Sequence, residues 1–129
     1  MTDWNTLIRE VLAGEWRDPD TGQTAKVPFE TIRIDDSLDG AAPDLVAPLK
    51  IGRRIAVVSD INTHDAMGKR VARELKALGA VDEVVLPGDT HCDEPTIARV
   101  QDLTRHADGV VAVGSGSLSD TCKFATFKD

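Results

Sequence analysis

Residues 114–120 read Gly-Ser-Gly-Ser-Leu-Ser-Asp, directly after the apolar run Gly109-Val110-Val111-Ala112-Val113. Glycines let a backbone approach a phosphate closely, and a helix that opens there adds free N–H groups and the positive end of its dipole. The hydroxyls of Ser115 and Ser117 are further donors, so this stretch has the chemistry a pyrophosphate needs. It departs from the G-x-G-x-x-G fingerprint, because the third glycine is absent, and from the Walker loop, because no Gly-Lys-Ser follows. An ordinary tight strand-to-helix turn would carry the same residues. Asp60 ends a second apolar run, Arg54 to Asp60, where an acid could accept hydrogen bonds from ribose hydroxyls or simply cap a helix. Asp120 and Lys123 stand three apart in the helix after the glycine loop, so they share a face, either as a surface ion pair or pointing into a cleft.

The elements that must position these residues follow from periodicity. Arg54-Ile55-Ala56-Val57-Val58-Ser59-Asp60 reads as a buried strand. Thr63 is expected to cap a helix from about His64 to Leu78, with Met67, Val71, Leu75 and Leu78 on its apolar face and Gly79 at its end. A second strand is expected over Val81–Pro87, then a helix over Glu94–His106 with Pro95 in its first turn and Asp93 as a possible cap. A third strand over Gly109–Val113 and a helix from about Leu118 complete the series. Strand and helix alternating three times indicate an α/β fold: a Rossmann-like parallel sheet with helices on both faces. Before it, Asp3 could cap a short helix carrying Leu7, Ile8, Val11 and Leu12, ended by Gly14. A turn at Asp18-Pro19-Asp20-Thr21-Gly22 and a strand over Val27–Ile34 are expected to follow. The division is therefore a cap and β-hairpin at 1–48 and a βαβαβα core at 49–129.

Bulk properties remove several classes of function. The chain has 129 residues, one domain's worth, and a formal charge of −7 from 22 acidic and 15 basic groups. An acidic surface repels a phosphate backbone, so nucleic-acid binding is not expected. No apolar run approaches the ~20 residues that span a bilayer, and the charged N-terminus argues against a secretory signal. A cytoplasmic protein with no membrane partner is the expectation. Cys92 and Cys122 form no C-x-x-C pair and read as free thiols. His91-Cys92-Asp93 lacks a partner pair at metal-ligand spacing, and Asp18-Pro19-Asp20-Thr21-Gly22 lacks the later ligands of a calcium loop. His64 and His106 read as solvent-facing, and Trp4 and Trp16 as packing the cap.

Val111 to Lys123 resembles the glycine-rich signature of the sn-glycerol-1-phosphate dehydrogenase-like family, within the iron-containing alcohol dehydrogenase and dehydroquinate synthase superfamily. Ile55 to Gly68 is similar to that family's first nucleotide-binding strand and helix, and residues 18–22 and 27–30 to the N-terminal hairpin of a bacterial branch. Relatives more often carry Thr-Ile-Asn-Asp where this chain has Ser117-Leu118-Ser119-Asp120, a change that keeps the Asp. The resemblance implies an NAD- or NADP-dependent oxidoreductase acting on a small-molecule substrate. It implies that Asp60 meets the adenosine ribose, that Gly114, Ser115, Gly116, Ser117 and Leu118 cradle the pyrophosphate, and that Asp120 lies near the nicotinamide. It also implies a C-terminal domain holding a divalent metal (Zn, Ni or Fe) and the catalytic residues. The sequence stops at Asp129, within the helix expected from Leu118, so that domain is expected to be absent and the fragment inactive. An apolar cleft wall left open by its absence leads us to expect a homo-oligomer. Two other readings stay open: a flavodoxin-like phosphate-binding or regulatory module, and a lyase domain like dehydroquinate synthase.

Overall fold

A computed structural model describes residues 3–127 of the chain. Two units are present, with the boundary between Ser37 and Leu38.

In the first unit, helix α1 spans Trp4–Ala13. The Asp3 side chain caps it by accepting from the Asn5 N–H at 3.1 Å, and Gly14 ends it in the left-handed region at φ 75°. The hairpin that follows is a tight turn closed by a single antiparallel bridge, Arg17 to Thr24. Asp18 Oδ1 accepts from the Asp20 and Thr21 N–H groups at 2.8 and 3.3 Å, which identifies residues 18–22 as a plain turn. The strand expected over 27–34 does not form. A strand needs a ladder partner, and Pro28 lacks an N–H to offer one. Ile34 is exposed there, and Trp4 is exposed as well rather than packed.

The second unit carries the three strands: β1 (Arg54–Asp60), β2 (Ala80–Leu86) and β3 (Gly109–Val113). They form one parallel sheet in the order β2-β1-β3. β1 is central, and Ile55 through Ser59 are all buried, which explains its unbroken apolar run. Alternate residues of a strand face opposite sides, so β1 serves two cores. On one side Ile55 and Val57 pack with Val71, Ala72, Leu75 and Val113. On the other, Val58 packs with Val84, Leu86, Val100, Leu118 and Cys122. The first side is covered by a helical stretch that follows β1. It runs as α3 (Ile61–Thr63), a π turn (His64–Gly68) and α4 (Lys69–Leu75), after a short α2 at Ala42–Val46. The second side is covered by α5 (Glu94–Leu103) and α6 (Gly116–Thr126). Helices thus lie on both faces, as expected.

The segment 38–48, grouped with the cap on sequence grounds, goes with the second unit. Glu74 on α4 accepts from the Ala42 N–H at the start of α2 (3.4 Å), and Arg70 pairs with both Glu74 and Asp39. α6 ends at Thr126, with Phe127 already extended, so the helix stops inside the described residues; Asp129 lies outside them. Among the described residues no helix is long and apolar enough to cross a membrane.

Two groups at the amino-end edge of the sheet set its register, and each supports a prediction. Gly79 turns the chain into β2 so close to β1 that a Cβ there would stand 2.1 Å from the Arg53 carbonyl oxygen. A backbone atom cannot yield as a side chain can. Gly79→Ala is expected to lower stability by about 1–3 kcal/mol, the usual cost of overpacking, read as the urea midpoint. Asp108 accepts from the Arg53 and Arg54 N–H groups, both at 2.9 Å, tying the entry of β3 to β1. Those backbone hydrogen bonds hold its carboxyl below the ordinary value of 3.8. A folded-state value below the unfolded one contributes stability that is complete above the unfolded value and is lost as pH falls through the folded one. The melting temperature of the chain should therefore fall as pH drops below about 4, and Asp108→Asn should lower it at neutral pH and flatten that acid limb. An unchanged acid limb in the variant would remove Asp108 from the account.

Candidate functional site

The site lies at the carboxyl edge of the sheet. Ser59 and Val113 are the last residues paired between β1 and β3, and Asp60 and Gly114 follow them in sequence. From there β1 leads into the helical stretch on one face, while β3 leads into α6 on the other. Two neighbouring parallel strands whose connections leave to opposite sides open a crevice between them, which is where open α/β sheets bind ligands.

Each wall of the crevice begins a helix, and the two starts differ. At β1 the helix is self-capped. Asp60 Oδ1 accepts from the Asn62 and Thr63 N–H groups at 2.9 and 2.8 Å, and Thr63 Oγ1 accepts from the Asp60 N–H at 3.0 Å. This reciprocal capping box corrects the expectation that Thr63 is the cap: Thr63 is its third helical residue, and the helix starts three residues earlier. Both bonds to the carboxylate fall on Oδ1, so Oδ2 takes no hydrogen bond among the described residues.

At β3 the helix start is open. α6 begins at Gly116, two residues before the expected Leu118, with Ser115 as its cap residue in an extended conformation (ψ 179°). The Ser115 side chain makes no capping hydrogen bond. The first backbone bond inside the turn runs from the Ser119 N–H to the Ser115 carbonyl at 3.0 Å. The Gly116, Ser117 and Leu118 amides precede it and are the first-turn donors that an α-helix leaves without an internal acceptor.

The two glycines of this loop have different reasons to be there. A Cβ on Gly114 would sit 2.5 Å from Leu118 Cδ2, so Gly114 makes room for that buried side chain. A Cβ on Gly116 would meet nothing within 4 Å, and its φ is not positive. Neither packing nor backbone conformation demands a glycine at 116.

The remaining residues of the expected set fall as follows. Ser115 and Ser117 are exposed, while Leu118 places its side chain in the core and offers only its amide. Asp120 lies one turn further on, exposed, 3.7 Å from Lys123 Nζ, a surface pair of little energetic weight. His64 is not solvent-facing: its ring is mostly covered and Nε2 lies 3.0 Å from Glu83 Oε1. Asp93 caps α5 through the Thr96 N–H at 2.9 Å. Cys122 is buried, which pushes its thiol up to about 11 and makes it inert as a nucleophile. Among the described residues no group of three His, Cys, Asp or Glu side chains could hold a metal ion. The cap that the sequence allowed for Asp60 is thus the one observed; what sequence reasoning missed is its reciprocal partner, the Thr63 hydroxyl, whose signal was the Asp-x-x-Thr spacing at the end of an apolar strand.

The family model for iron-containing alcohol dehydrogenases matches residues 33–129. The chain is 32% identical over 78 residues to the glycerol-1-phosphate dehydrogenase (NAD(P)+) of Bacillus velezensis, covering 56% of this chain and 20% of that protein. It is 31% identical over 85 residues to the enzyme of the same name from Methanoculleus marisnigri, covering 66% and 23%. It is 30% identical over 88 residues to a 3-dehydroquinate synthase from Pseudomonas fluorescens, covering 64% and 24%. The matched segment thus spans less than a quarter of each of these relatives. No solved structure matches significantly. A parallel sheet with an open glycine-loop crevice and a family match over its whole second unit lead to one assignment: the chain belongs to the iron-containing alcohol dehydrogenase family.

Proposed function

We propose that this chain is the dinucleotide-binding domain of an NAD- or NADP-dependent, metal-dependent dehydrogenase acting on a small polyol or polyol phosphate such as glycerol 1-phosphate. The observation that carries the reading is Gly116: a glycine that folding does not require, at an open helix start, with free space where a side chain would be. A ligand that must come close to the backbone gives that residue its reason. The relatives named as glycerol-1-phosphate dehydrogenases supply the choice of substrate class.

In this reading the amides of Gly116, Ser117 and Leu118 receive the pyrophosphate, and the Ser115 and Ser117 hydroxyls add donors. Asp60 divides its labour. Oδ1 holds the helix start, and Oδ2 is left to accept from a ribose hydroxyl. Fixed there as an anion, it favours a 2′-hydroxyl over a 2′-phosphate, hence NAD over NADP. Asp120 stands further along α6, toward the nicotinamide end. Bound, the dinucleotide supplies the hydride acceptor. Among the described residues no group of side chains fits a metal centre, so no catalytic step is assigned to this chain. The dehydroquinate synthase relative favours a second reading, a lyase domain with the same dinucleotide site; turnover by the full-length protein on each substrate class separates the two.

Calorimetric titration of the chain with NADH tests the core of the proposal. Saturable binding is expected, weakened at least tenfold (about 1.4 kcal/mol) by Gly116→Val while the melting temperature stays near that of the parent. No binding at millimolar NADH, by this chain or by a full-length protein containing it, would overturn it. Asp60→Asn tests the division between the two oxygens, because Asn caps a helix as well as Asp does. Stability is expected to hold, while NADH affinity falls about tenfold, the scale of a hydrogen bond to a charged group, and NADPH affinity relative to NADH rises. An unchanged ratio between the two nucleotides would take the ribose role away from Asp60.

A further inference from the structure

We draw no further inference here: the strongest candidate, the apolar cleft of about 290 Å3 between α2 and β3, lined by Leu45, Val46, Met67, Val71, Val111 and Val113, carries nothing, because nothing in the structure shows what covers it.

Discussion

The burial of β1 on both faces constrains everything around it. Ile55 and Val58 face opposite sides and are both 0% exposed, so each side of the strand must be roofed by a separate helix layer. Parallel pairing on both edges demands long crossovers, and each crossover brings one such helix. The connection from β1 to β2 takes one face, and the connection from β2 to β3 must pass β1 and takes the other. β3 then has its own exit on that second face. The crevice between Asp60 and Gly114 is a consequence of this covering. Any sequence that folds this way has a gap at that edge; what it does there depends on the residues lining it.

The two helix starts that line the gap show how local chemistry makes this difference. A helix start offers amide donors and a positive dipole end, and something must satisfy them. At α3 the chain does so itself, with the Asp60 carboxylate and the Thr63 hydroxyl. At α6 the cap residue is Ser115, whose side chain makes no capping hydrogen bond. One wall therefore presents a fixed anion and the other a set of unclaimed donors. A molecule with hydroxyls at one end and phosphates further along meets complementary groups on both sides. The net charge of −7 does not oppose the proposed dinucleotide site, because in that reading backbone amides, not lysines, would meet the phosphates.

Most of the second unit was legible in the sequence because its signals are strong and local. Apolar runs of strand length, helical spacing at Val71 and Leu75, and Pro95 in a first turn all fell where expected. What was not legible depended on tertiary partners. The run 27–34 has strand composition but finds no ladder, and Trp4 has a core residue's character but no core. His64 reads as a surface residue on its own helix; only the register of β2 beside β1 brings Glu83 within reach. At the site, the residues could be chosen from spacing, but the choice between Asp60 and Thr63 as cap could not. Both are good caps, and the start of the helix decides which one fills the role.

Glycine is the residue whose meaning changes most once coordinates are added. Gly79, Gly114 and Gly116 look alike in sequence, each at the junction of a strand and a helix. Gly79 yields to a carbonyl oxygen of its neighbour and Gly114 to a leucine side chain, so fold stability alone would keep them small. Gly116 yields to nothing in the protein, and at the first position of a helix it gives up whatever helix preference an alanine would bring. That forgone stability has no return in packing or in backbone geometry. In the proposed reading its return lies outside the folded chain, in the phosphates that would approach the open amides of α6.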